Sequence, residues 1–167
     1  VVLCGLARAL RPVDATALAG SADRHEGAGA WKEMTEVLER LVLALPEPER
    51  KIPVYKRLGR VWGEKLSKER SSLESWQNVL EIDPQDVDAL RAIVKNYRTA
   101  GAWEDLSESL RRLIGVAQLG ESGVSQPGLQ DLYSQLGDLE GETLMRTQEE
   151  IEAWREVLEI DPHDFRA

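Results

Sequence analysis

Apolar residues recur along this chain at helical spacing. Trp31, Met34, Leu38, Leu41, Val42 and Leu45 fall on one stripe. Leu90, Ile93, Val94 and Tyr97 form another, and Trp103, Leu106, Leu110, Leu113 and Ile114 a third. Steps of three and four residues place such side chains on one face of an α-helix. No segment sustains the two-residue alternation of a half-buried strand. Pro12, Pro46, Pro84 and Pro162 each follow an apolar-periodic run. Proline lacks an N–H and clashes with the preceding turn, so these positions mark helix ends. Asp14 and Asp86 stand just after two of them, where N-caps belong. Between the second and third stripes only Ala100-Gly101-Ala102 intervenes, which is room for an antiparallel helix pair and nothing else. The pattern predicts an all-α chain of eight helices in four antiparallel pairs. A partial helix at 1–10 precedes them, and a further repeat starts at 163–167.

The pairs repeat. The run from Trp76 to Asp86 returns from Trp154 to Asp164, including Val-Leu-Glu-Ile-Asp-Pro, at an offset of 78 residues. Tyr55, Leu58, Gly59, Gly63, Glu64 and Leu66 return as Tyr133, Leu136, Gly137, Gly141, Glu142 and Leu144. A second echo has offset 72: Pro12, Asp14, Ala17 and Leu18 return as Pro84, Asp86, Ala89 and Leu90, and Ala28-Gly29-Ala30-Trp31 as Ala100-Gly101-Ala102-Trp103. One Gly/Ser-rich insertion within 118–127 reconciles the two offsets. The repeats are read at approximately 13–46, 47–84, 85–119 and 124–162. The first helix of the even-numbered repeats, 53–66 in the second, is longer than the others. One helix pair cannot bury its apolar face alone, whereas stacked pairs share a continuous core.

These residues resemble the tetratricopeptide repeat (TPR) family, whose unit is a helix–turn–helix of about 34 residues with W-x2-L-G-x2-Y, then A-x3-F, then P. Tyr55-x2-Leu58-Gly59-x2-Trp62, Ser72-x3-Trp76 and Pro84 fit that pattern with the two aromatics exchanged. Tyr133-x2-Leu136-Gly137, Trp154 and Pro162 fit it again, while Glu140 takes an aromatic position and Glu150 a small one. In the third repeat Tyr97-x3-Gly101-x-Trp103 has the family's corner. The first repeat keeps only a skeleton: Leu18, Ala22, His25, Gly29, Trp31 and Pro46. The resemblance covers nearly the whole chain. It implies a right-handed α-solenoid and a non-catalytic protein–protein interaction scaffold, with the first helix of each pair lining a concave groove for a partner segment. On that implication the groove-facing residues are Lys56 and Arg60 in the second repeat and Arg91, Lys95 and Arg98 in the third. Asp23 and Glu26 in the first repeat, and Ser134 and Asp138 in the fourth, flank them.

Composition narrows the function. The 167 residues hold 21 Lys+Arg against 30 Asp+Glu, a formal charge of −9. Such a balance disfavours a polyanionic partner, so nucleic acid is not the expected ligand. The basic band nonetheless points to an acidic segment or a C-terminal carboxylate, held by charge-assisted hydrogen bonds. No stretch approaches the roughly 20 apolar residues of a membrane span. Cys4 is the one cysteine, with no partner for a disulfide, and is read as buried. His25 and His163 lack neighbours at metal-ligand spacing, so no metal and no cofactor is expected. Glu149, Glu150, Glu156 and Glu159 read as solvated helix faces. No phosphate loop, nucleophile elbow or zinc-protease motif occurs, and an enzyme is not expected. Trp31, Trp76, Trp103 and Trp154 recur periodically and are read as core, as is the unpaired Trp62. The first residue is Val1 and the chain stops in a helix start, which reads as a fragment of a longer protein. Alternative readings are a structural or self-associating spacer and a regulatory domain fused to an enzyme.

Overall fold

A computed structural model describes residues 12–119 and 125–164. Cys4, the partial helix at 1–10 and residues 165–167 of the further repeat lie outside them. The chain forms two compact units, Val1–Pro84 and Gln85–Ala167. Among the described residues there are eight α-helices and no strand.

In the first unit α1 (Pro12–Gly27) packs on α2 (Trp31–Ala44), and α3 (Pro48–Arg60) on α4 (Glu69–Ile82). In the second, α5 (Val87–Ala100) packs on α6 (Trp103–Gln118), and α7 (Gln126–Asp138) on α8 (Thr147–Ile160). Within each unit the second helix also packs against the third: α2 on α3, and α6 on α7. Met34, Leu38, Leu41 and Val42 of α2 meet Val54, Leu58 and Val61 in the first core. Leu90, Ile93, Leu106, Leu110, Leu113, Leu136 and Val157 are the buried counterparts in the second unit.

The corners follow from their residues. Gly29 and Gly101 adopt φ of 68° and 69°, where a side chain is disfavoured. At each, the following amide reaches back five residues, Ala30 N to His25 O at 2.9 Å and Ala102 N to Tyr97 O at 3.0 Å. The glycine amides bond to Glu26 O and Arg98 O, completing the Schellman pattern that satisfies the last carbonyls of a helix. The Asp86 carboxylate caps α5 by accepting from Ala89 N at 2.9 Å. Asp14 does otherwise: α1 already begins at Pro12, so Asp14 lies inside its first turn. Proline suits that first turn, because the N–H it lacks would be unpaired there anyway.

The long first helices of the even repeats have a physical cause. Both widen into a π-helical segment, Val61–Lys65 after α3 and Leu139–Thr143 after α7. The amide of Leu66 reaches Val61 O at 3.1 Å, and that of Leu144 reaches Leu139 O at 3.0 Å. Two residues past each segment stands a non-glycine residue at positive φ, Ser67 at 50° and Met145 at 55°. Just before them, Gly59 and Gly137 carry tryptophan rings against bare backbone. A Cβ at Gly59 would sit 2.6 Å from the Trp76 ring, and one at Gly137 2.6 Å from Trp154.

The tryptophans divide. Trp76 is buried; Trp31, Trp62 and Trp154 are half-buried. Trp103 is 41% exposed and is not a core residue. It is the first residue of α6 beside the Gly101 corner, as Trp31 is of α2 beside Gly29, but Trp31 packs against the first core while Trp103 stays exposed.

Candidate partner-binding surface

In each unit a cleft opens between the two first helices. In the second unit Arg91 and Val94 of α5 face Gly128, Asp131, Leu132 and Gln135 of α7 above Leu113, around a space of about 250 Å³. In the first unit Ala15, Thr16 and Ala19 of α1 face Arg50 and Pro53 of α3 above Leu41 and Leu45, around about 380 Å³. The linings are repeat counterparts at the offsets 72 and 78: Ala19 with Arg91, Leu41 with Leu113, Arg50 with Gly128, Pro53 with Asp131.

Further along the same helices, each unit joins its first helices by a polar contact of a different kind. In the second unit Arg98 Nη2 donates to Gln135 Oε1 at 2.5 Å, and Gln135 Nε2 donates to Asp131 Oδ2 at 2.6 Å. In the first unit the counterparts reverse the charge: Arg57 of α3 pairs with Glu26 at 2.6 Å and Asp23 at 2.9 Å on α1.

Arg91 enters the cleft lining, and Lys95 and Arg98 are exposed on the same helix. Arg60 is exposed and Lys56 half-buried on α3. Ser134, read as a flanking groove residue, is buried instead, with its hydroxyl donating to Gln130 O at 3.0 Å. The face of α3 and α7 that meets the neighbouring first helix lies one residue further on, at Arg57 and Gln135. Pro53 and Arg57, four residues apart, share that face of α3.

A second polar cluster went unread. Glu140, in the π-helical segment after α7, is fully buried. Ser107 Oγ donates to its Oε1, as does Arg111 Nη2 at 2.9 Å, both from α6. Arg146, just before α8, lies 3.6 Å from Oε2 and pairs with Glu104 at 2.6 Å. Its guanidinium pKa is raised, first by the hydrogen bond to Glu104. Oε2 has no hydrogen-bond partner. The cluster ties the π-helical segment to α6, and Glu140 lines neither of the two clefts described above.

Among the described residues no group of three or more His, Cys, Asp or Glu could hold a metal. None of the described helices is long and apolar enough to cross a membrane. No family model matches the chain, and no curated protein does. Solved structures do. MamA superposes with a TM-score of 0.59 at 16% identity, over 87% of this chain and 77% of its own. YrrB, a TPR protein with an unusual peptide-binding site, gives 0.57 at 16%, over 90% and 70%. The TPR-like repeats of a putative kinesin light chain from Podosopora anserina give 0.58 at 17%, over 94% and 79%. The fold is TPR-like. In TPR-like terms the two clefts lie between the first helices of consecutive pairs, and Glu140 takes the place of an expected aromatic residue.

Proposed function

We propose that this chain is a non-catalytic interaction scaffold that receives a partner segment along its first helices, and that the second unit selects an acidic one. The observation that carries the reading is α5. Arg91, Lys95 and Arg98 share one exposed face, and Arg91 leans over a cleft whose floor is Val94, Leu113 and Leu132. Exposed cations beside an apolar floor suit a chain that offers carboxylates and buries carbon. Each charge-assisted hydrogen bond to such a ligand contributes about 1.5–3 kcal/mol before ordering costs. Lys56 and Arg60 provide the same sign of charge on α3 of the first unit. That one structural neighbour is a peptide-binding TPR protein supports the general reading.

Self-association is the second reading, favoured by one observation. Ile151 and Leu158, seven residues apart on α8, are 42% and 39% exposed.

Fluorescence anisotropy with a labelled glutamate decapeptide separates the readings. The acidic-segment reading expects saturable binding that falls roughly tenfold or more in the Arg91→Glu/Lys95→Glu variant and weakens with salt. Unchanged binding in that variant overturns it. A size in solution that rises with concentration, without peptide binding, favours self-association.

A further inference from the structure

The two clefts occupy the same place in the two units, so the fold itself leaves the gap and the lining decides what fills it. In the second unit Arg91, Asp131 and Gln135 make the rim polar. In the first unit the same positions are Ala19, Pro53 and Arg57, and only Ala19 and Pro53 reach the cleft. Two alanines on α1, Ala15 and Ala19, withdraw side-chain volume, and Leu41 and Leu45 supply a nearly water-free floor at 5% and 7% exposure. Pro53 stands inside α3, where its missing N–H forgoes a helical hydrogen bond. Arg50 is the charged member of the lining. Its side chain is 65% exposed and held by Glu47, three residues away, at 3.1 Å. Such an exposed pair is weak and yields readily to a ligand carboxylate.

We infer that the α1/α3 cleft of the first unit is a side-chain pocket for an aliphatic residue of the partner segment, with a carboxylate next to that residue meeting Arg50. The space of about 380 Å³ admits a leucine-sized group, whose burial against Leu41 and Leu45 removes apolar surface from water. The inference rests on the proposal that partner segments run along the first helices, but it uses residues that the acidic-segment reading does not. It also predicts a preference the basic band alone would not give: a partner that is apolar and acidic in alternation, not uniformly acidic.

The test is methyl NMR on the full chain, titrated with the capped tetrapeptide acetyl-Ala-Leu-Glu-Ala-amide. The expected result is a saturable shift of the Ala15, Ala19, Leu41 and Leu45 methyls, absent with acetyl-Ala-Lys-Glu-Ala-amide. Ala19→Arg, which installs the second unit's residue, should abolish the shifts. Arg50→Glu, at an exposed site that cannot threaten folding, should weaken binding several-fold and reverse the preference toward acetyl-Ala-Leu-Lys-Ala-amide. Shifts that are missing in the parent chain, that the lysine probe reproduces, or that survive both substitutions overturn the pocket. So do shifts driven by protein concentration alone, which would place a second copy in the cleft. The glutamate decapeptide and the Arg91→Glu/Lys95→Glu variant report on the other site, so either proposal can fail while the other stands.

Discussion

In the first unit Trp62 sits half-buried in the π-helical segment, with Lys68 Nζ 4.9 Å from its ring centroid. In the second unit the counterpart of Trp62 is Glu140, and that of Lys68 is Arg146. The cation is kept and its partner changes from an aromatic face to a carboxylate. Neighbours change with it. Thr35, which turns its hydroxyl back to Lys32 O at 2.8 Å, becomes Ser107, which donates to Glu140. Glu39 becomes Arg111, and Lys32 becomes Glu104, the second partner of Arg146. The rim of the cleft between first helices shows a similar exchange: Ala19 and Pro53 in the first unit stand where Arg91 and Asp131 stand in the second. Backbone features do not change: both units keep the π-helical segment, the positive-φ residue after it, the glycine under a tryptophan ring and the Schellman corner. The duplicated backbone thus fixes where the holes and crossings lie, and coordinated side-chain changes decide their chemistry.

Breaking the buried charge should have the largest effect. Glu140→Ala takes the carboxylate from Arg111 and leaves the Ser107 hydroxyl unpaired inside the second unit, while Arg146 keeps Glu104. A loss of about 3 kcal/mol is expected from the cavity and the unpaired Ser107 hydroxyl together, since the arginines left behind reach solvent, and denaturant unfolding reads it. Trp62→Ala, the matching deletion in the first unit, should cost less, about 2 kcal/mol, because that ring is only half-buried. If Glu140→Ala proves neutral, the two positions are not alternative solutions to the same packing problem. Next come Gly59→Ala and Gly137→Ala, each pressing a methyl into an indole 2.6 Å away. Overpacking of this kind costs about 1–3 kcal/mol, and the two values should agree with each other more closely than those for Glu140 and Trp62. A thermal melt of each variant checks this.

Much of this was legible in the sequence. The offsets of 72 and 78 exposed the duplication, and Gly101 with Tyr97 located the corner, because those features are set by backbone geometry that few residues satisfy. The helices fell where the apolar stripes and prolines placed them. The polar exchange was harder to read. Glu140 stood out as a departure from an aromatic position, yet its partners lie 33 and 29 residues earlier, on another helix. No spacing rule joins Ser107, Arg111 and Glu140. On α3 and α7 the residues that meet the neighbouring first helix, Arg57 and Gln135, stand one past Lys56 and Ser134, since a helix advances 100° per residue and an aligned motif does not fix rotation that finely. Trp103 lies outside the core although it belongs to an apolar stripe, because periodicity marks a stripe but not where the stripe runs out.

The smallest stability effect should come from Arg57→Ala. It breaks the pairs with Asp23 and Glu26, whose side chains are 66% and 54% exposed, so about 0.5–1 kcal/mol is expected, shrinking with salt. The larger consequence lies in charge. Without Arg57 the Asp23 and Glu26 carboxylates lose their cation, and the first unit should bind glutamate peptides more weakly while the second keeps its own affinity.

The central claim is that α5 of the second unit receives an acidic segment. The most direct measurement is backbone amide NMR of the full chain as the glutamate decapeptide is added. The account predicts saturable shifts concentrated at Arg91, Lys95, Arg98 and Gln135, on α5 and the facing side of α7. Shifts concentrated instead on α6 and α8, or none at saturating peptide, would contradict it.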